Sequence, residues 1–274
     1  MRIDGHAHIS SIVMPENRIP EPEGGYAHQL IQLMDEAKFD KAVIMPIAPF
    51  DENIIIANAV SEFPDRLIGF ASVDPNEANV FDRHVPVKKL VNDVNNYNLK
   101  GLKLNPRVQN FSLRDNRIIP IFQCAADLGI PVLIDGVSEI SPVLFEENLP
   151  FAIDHIARAV PKVNIILAHM GGHRILDGYI LAVSHPNIYL DLSAIHFMYK
   201  DSSVEMDIAF VLKNLGPIGK VIYGSDFPML SPNKEPYPIT VSSDYYEILF
   251  EDLDFTEQIR NNIMGNTMLS LLRI

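Results

Sequence analysis

Apolar and polar positions along this chain follow two rhythms in turn. Short β-branched or aliphatic runs recur eight times, each followed by a stretch with helical spacing. The runs are Arg2-Ile3-Asp4 leading to His8, then Lys41–Pro46, Leu67–Val73, Gly101–Leu104, Pro131–Asp135, Asn164–His169, Ile188–Leu192 and Val221–Asp226. Between the first two, Leu30, Leu33, Met34 and Ala37 form an i, i+3, i+4, i+7 stripe, which predicts a helix laid on a sheet. Gly129 before Ile130-Pro131, and Pro161 after Val160, predict helix ends. Two further helical segments, Ser243–Phe250 and one ending near Leu272, are expected to complete and cap the fold. The α/β alternation predicts parallel strands with crossover helices, and eight repeats over residues 1–274 predict a single (β/α)₈ barrel domain. An open doubly wound sheet shares the alternation, but no glycine-rich phosphate loop follows the first run. A long segment with Pro15, Pro20, Pro22 and the pair Gly24-Gly25 stands there instead, where it can cover a site.

Composition narrows the function classes. Hydrophobic residues make up 47% of the chain and charged ones 21%, enough for a sizeable core and no basis for disorder. The formal charge of −13 argues against a nucleic-acid partner, because phosphate-backbone affinity needs clustered Lys and Arg. No run reaches the length of a membrane span and no signal-peptide pattern opens the chain, so a cytoplasmic protein is expected. Cys124 is the only cysteine, which excludes an internal disulfide and a cysteine-based zinc cluster. Its apolar helical setting predicts a buried structural thiol.

The chemistry-bearing residues cluster at the carboxyl ends of the runs, where the loops of a barrel build its active site. His6 and His8 are two apart, so a strand points both side chains to one face, into the barrel mouth. An isolated pair of this kind is also satisfied by ordinary surface or core histidines. Asp226 ends the eighth run, and barrel closure sets that strand beside the first. Taken alone, Ser225-Asp226-Phe227-Pro228 is equally a turn or a helix cap. His169 ends the sixth run ahead of Gly171-Gly172, glycines that permit a close approach of substrate or backbone.

Five blocks, Ile3-Asp4-Gly5-His6-Ala7-His8, Gly101–Pro106, Ile130–Ile134, Leu167–Gly172 and Tyr223–Pro228, taken in order, resemble the amidohydrolase superfamily. The resemblance covers nearly the whole chain and is closest to the branch of aminocarboxymuconate-semialdehyde decarboxylase and small metal-dependent hydrolases. It implies a distorted (β/α)₈ barrel with one divalent ion, zinc first and manganese second, a small-molecule substrate and a possible homodimer. One position departs from the family pattern: Asp135 stands where a histidine ligand usually ends the fifth strand. Three outcomes follow, in order of preference: Asp135 joins His6, His8 and Asp226 as a metal ligand, His169 takes that place, or metal binding is weakened or lost.

Binuclear relatives carry a carboxylated lysine on the fourth strand, at the position of Lys103. Without a fifth-strand histidine, a mononuclear site is preferred, with Lys103 as a substrate-binding or structural cation, and an ion pair with Asp135 as the alternative. Arg107 has the planar fork for a substrate carboxylate, or is an exposed loop arginine. The expected activity is hydrolysis of an amide, lactone or similar carbonyl bond by a metal-activated water. Asp226 would move the proton and His169 would polarise the carbonyl or stabilise the oxyanion. Nonoxidative decarboxylation of an unsaturated or aromatic acid is the enzymatic alternative, and a noncatalytic binding barrel with a degraded metal site is the third reading. Specificity is expected to lie in the loops 9–24, 193–202 and 229–238.

Overall fold

The computed structural model describes residues 1–10, 22, 24–77, 82, 84–137, 150–228 and 238–274. Most of the proline-rich segment and most of the loop 229–238, both expected at the mouth, lie outside the described residues. The strands are β1 (Ile3–Ala7), β2 (Lys41–Ile44), β3 (Leu67–Gly69), β4 (Ala71–Ser72), β5 (Leu102–Leu104), β6 (Val132–Ile134), β7 (Ile165–Leu167), β8 (Ile188–Asp191) and β9 (Val221–Ile222). Hydrogen-bonded pairs run β1-β2-β3 and β4-β5-β6-β7-β8-β9, all parallel. The third run of the sequence therefore forms two pieces. They are one strand that changes partner at Phe70: its N–H donates to Ile44 O at 2.9 Å, and the next N–H, of Ala71, donates to Gly101 O at 2.8 Å.

The ring closes between the first and last strands. Gly5 N donates to Tyr223 O at 2.9 Å, Asp226 N to His6 O at 2.8 Å and His8 N to Phe227 O at 2.6 Å, with a parallel bridge between Ala7 and Phe227. A side chain at Gly5 would not fit: a Cβ there would stand 2.8 Å from Tyr223 O and from Ile222 Cγ2. The chain is thus the (β/α)₈ barrel expected, with helices laid on its outer face.

The periodic stripe of the first helix is buried as its spacing requires. In the helix Gly25–Glu36, Leu30 and Met34 are fully buried, Leu33 is partly so, and Ala37 caps the end. The helix Ile119–Leu128 stops at Gly129, which takes the left-handed conformation at φ 71°, and buries Cys124 as expected. Inside the barrel, Ile3, Val43, Met45, Ile68, Phe70, Leu133, Ile166 and Ile222 pack against Met268, Leu271 and Leu272 of the last helix, Thr267–Leu272. That helix plugs the amino-terminal end of the barrel, so the interior is open to chemistry at the carboxyl end alone.

A slip in the β1–β2 register decides what reaches the mouth. Asp4 pairs with Ala42 but Ala7 with Ile44, so β1 carries one extra residue. Ile3 belongs to the barrel interior, and strict alternation would send His6, three residues on, to the outside. The extra residue reverses the alternation, as a bulge does, and brings His6 and His8 inward above Ile3. Among the described residues no helix is long and apolar enough to cross a membrane.

Candidate metal centre and its cationic flank

The regular part of β1 ends at Ala7 and that of β9 at Ile222, so His8 and Asp226 project from the first turns beyond their strands. Asp226 takes a left-handed backbone, φ 61°, which short polar side chains tolerate. Nearby, a Cβ on Gly224 would stand 2.8 Å from His6 Cβ, so a bare glycine is what allows the chain after β9 to come close to His6. One ligand atom each from His6, His8 and Asp226 falls in a group whose members all lie within 4.8 Å of one another. Asp226 Oδ1 is 3.5 Å from His6 Nε2 and 3.9 Å from His8 Nε2.

The remaining ring nitrogens are tied down. His8 Nδ1 donates to Met45 O at 2.8 Å, and His6 Nδ1 donates to Asp191 Oδ2 at 2.9 Å. With Nδ1 carrying the proton, each ring turns a lone pair at Nε2 toward Asp226. Burial and the nearby Lys103 charge push both histidines below their usual pKa, so both are neutral near pH 7. Two neutral imidazoles and a carboxylate, held by outer partners, form a donor set that suits a divalent cation.

Asp135 and His169 do not join this group; they pair with each other. His169 Nε2 lies 3.2 Å from Asp135 Oδ1, and Arg107 Nε donates to Asp135 Oδ2 at 3.3 Å. Asp135 is thereby paired with two cations, Arg107 and His169. Burial alone would lower the pKa of His169, but the hydrogen bond to Asp135 and the fields of Asp226 and Asp135 raise it from 6.5 to about 9. Burial likewise opposes ionisation of Asp135, and Arg107 with His169 outweighs it, holding that carboxyl well below its usual range. Beyond β7 the backbone is irregular: His169 and Met170 sit at φ 54° and 52°, and Gly171 and Gly172 at 93° and 62°. The two glycines thus serve to turn the chain after His169.

Lys103, fully buried on the inner face of β5, reaches His6 Nε2 at 3.0 Å. The Asp135 charge acts on it, but its direct hydrogen-bond partner is His6. Arg107 sits on the short helix Pro106–Gln109, partly exposed, beside the same mouth.

Three residues that carried no expected role hold the site together. Asp191, at the inward end of β8, accepts from His6 through Oδ2 and from the backbone N–H groups of His169 and Ser193 through Oδ1, both at 2.9 Å. Ser193 Oγ also donates to Asp191 Oδ1, and the carbonyl of Ser193 accepts from His169 Nδ1 at 2.8 Å. Asp4 Oδ1 accepts from Ser225 N at 2.9 Å and His6 N at 3.2 Å, which ties the last strand to the first; burial pushes its pKa up to about 7. The signal that could have found Asp191 was its place in the run Ile188–Leu192: a carboxylate of inward parity at a carboxyl strand end.

Comparison with known proteins bears on the fold and the family. No functionally curated protein matches the sequence. Among solved structures, a TIM-barrel protein from Bordetella bronchiseptica superposes with a TM-score of 0.77 at 16% identity, covering 100% of this chain and 99% of the other. A protein described as a probable 2-pyrone-4,6-dicarboxylic acid hydrolase from Acinetobacter baumannii, with citric acid bound, gives 0.70 at 18% identity, over 100% and 99%. The 5-carboxyvanillate decarboxylase of Novosphingobium aromaticivorans, complexed with manganese and a nitrobenzoic acid, gives 0.68 at 15% identity, over 100% and 96%. The sequence model of the amidohydrolase family matches residues 3–274, nearly the whole chain, and the chain belongs to that family.

Proposed function

We propose that this amidohydrolase hydrolyses a carbonyl bond, an amide or lactone, in a small molecule that carries a carboxylate. One observation carries the reading: His6 Nε2, His8 Nε2 and Asp226 Oδ1 converge at the barrel mouth while Asp191 and Met45 O hold the imidazoles from behind. These three residues would hold one divalent cation, zinc by the character of the donors and manganese as the second choice. When bound, such an ion supplies Lewis-acid chemistry, lowering the pKa of water and polarising a carbonyl.

The residues of the chain do the rest. Asp226 accepts the proton of the attacking water on its carboxylate and returns it to the leaving group. The side chain is 25% exposed, which leaves it open to a substrate from the mouth. His169, kept cationic by Asp135, passes its Nε2 hydrogen bond from that carboxylate to the oxygen that gains charge. Arg107 is anchored to Asp135 through Nε, so its terminal amino groups are the part that grips a substrate carboxylate.

Nonoxidative decarboxylation is the second reading, favoured by the same cationic flank: Arg107 would seat the departing carboxylate and His169 would protonate the carbon left behind. A substrate panel separates the two. Release of amine or alcohol from carboxylate-bearing amides and lactones supports hydrolysis; release of carbon dioxide from unsaturated or aromatic acids replaces it. In either assay Asp226→Asn is expected to lower turnover by about 100- to 10,000-fold with the melting curve preserved. An undiminished rate overturns its role.

A further inference from the structure

Lys103 has no part in the reading above, yet it contacts the metal-ligand trio directly. Its ammonium lies 3.0 Å from His6 Nε2, the nitrogen that also faces Asp226 Oδ1 at 3.5 Å. A neutral imidazole has one ring lone pair, and His6 Nδ1 is committed as a donor to Asp191. The lone pair on Nε2 therefore serves one cation at a time, a lysine proton or a metal ion.

The other cations of the pocket are already matched. Arg107 and His169 both pair with Asp135, at 3.3 and 3.2 Å. Lys103 instead donates to the ligand side, at His6, in the field of Asp135 first and then of Asp226 and Asp191, while burial pushes its pKa below the ordinary lysine value. It is also immobilised: its side chain is buried in the barrel, 1% exposed, so it cannot turn out into solvent as a surface lysine does.

We propose that Lys103 is a built-in competitor for the metal position, a residue that sets how tightly His6, His8 and Asp226 hold a divalent ion. Without an ion it caps His6 Nε2. A bound ion would take that lone pair in its place and would be held against the repulsion of a like charge a few ångströms away. Ion affinity in this chain is accordingly weaker than its three donors alone would give, and the difference resides in one side chain. The proposal rests on the trio being the metal site.

The test is ion affinity, measured on the full chain stripped of metal and titrated with zinc and with manganese against a chromophoric chelator. Lys103→Met, which keeps bulk and removes charge, is expected to bind either ion about tenfold or more tightly than the wild type. Lys103→Arg, which keeps a cation, is expected to stay at or below wild-type affinity. Unchanged affinity in Lys103→Met overturns the proposal, and weaker affinity overturns it in favour of Lys103 as part of the ion's own coordination. His8→Ala separates the two levels of inference. If it binds as the wild type does, the trio is not the site and both readings fall; if it binds at least 100-fold more weakly, the site stands and the Lys103 result decides. Should Lys103→Met not fold, the wild type answers with ¹³C-labelled lysine: zinc is expected to shift the Lys103 Cε resonance, and an unmoved resonance in the loaded protein overturns the competition.

Discussion

His6 and His8 at the end of β1 and His169 after β7 are the same residue type, the His6 ring 5.3 Å from each of the other two at the barrel mouth, yet they carry different charge. His6 and His8 are pushed below the ordinary histidine pKa, whereas His169 is raised to about 9. Burial acts in the same direction on all three, so partners make the difference. His8 faces a backbone carbonyl, and His6 has Lys103 at its second nitrogen, which offsets the Asp191 carboxylate. His169 has Asp135 Oδ1 at 3.2 Å, a carboxylate it shares with Arg107, and no cation at its own ring nitrogens among the described contacts. Ligand chemistry needs the first condition and acid or oxyanion chemistry the second, so one pocket provides both by distributing its carboxylates unevenly.

The largest way to break this contrast is to remove the carboxylate that creates it. Asp135→Asn leaves Arg107 and His169 without their shared partner and is expected to cost about 3–5 kcal/mol of unfolding free energy in urea titrations. In the same variant the His169 imidazole, followed by NMR, should titrate near the ordinary histidine range; a value still near 9 would assign the charge to Asp226 and Asp191 instead.

The pH dependence of stability sharpens the same point with a sign. His169 has a folded pKa raised from 6.5 to about 9, so its contribution is fully present below about pH 6.5 and is lost as pH rises through about 9. The full loss is on the order of 3 kcal/mol. Urea midpoints of the metal-free chain should fall across that window, and Asp135→Asn should flatten the fall. A midpoint that rises from pH 6.5 to 9 would refute the cationic assignment.

Asp191 tests whether the two sides are coupled, since it holds the His6 ring and the His169 backbone at once. Asp191→Asn is expected to weaken zinc binding by about 10- to 100-fold, the usual cost of losing the outer partner of a ligating histidine. Equal affinity in variant and wild type would make it a structural residue alone. At the small end, Cys124→Ala, in a helix outside the barrel wall, should change stability by about 1 kcal/mol or less and leave turnover unaltered. A lost activity there would show that the mouth depends on packing well beyond its own shell.

Much of this molecule was legible along the chain. The βα rhythm, the helix ends at Gly129 and Pro161 and the buried stripe of the first helix are local properties, set by side-chain period and backbone preference, and they led to the barrel and so to the neighbourhood of His6, His8 and Asp226. Other features were out of reach for physical reasons. Strand parity alone placed the two histidines together but not on the interior side that Ile3 occupies; the register slip between Asp4 and Ala7 decides that, and pairing register is a property of two strands. The partner of Asp135 depends on which side chains beyond the neighbouring strand ends reach it first. In three dimensions Arg107 and His169 do, and Asp135 stands outside the group of ligand atoms that His6, His8 and Asp226 bring together. Lys103 shows the same limit, for it was expected as a substrate-binding or structural cation, with Asp135 as the alternative partner, and its hydrogen-bond contact is His6. The sequence by itself determined which strand ends carry His6, His8, Lys103, Asp135, His169 and Asp226, because the strand and helix rhythm is local. Only the tertiary structure decided how they pair, because Coulomb and hydrogen-bond energies depend on distances of a few ångströms that no one-dimensional spacing contains.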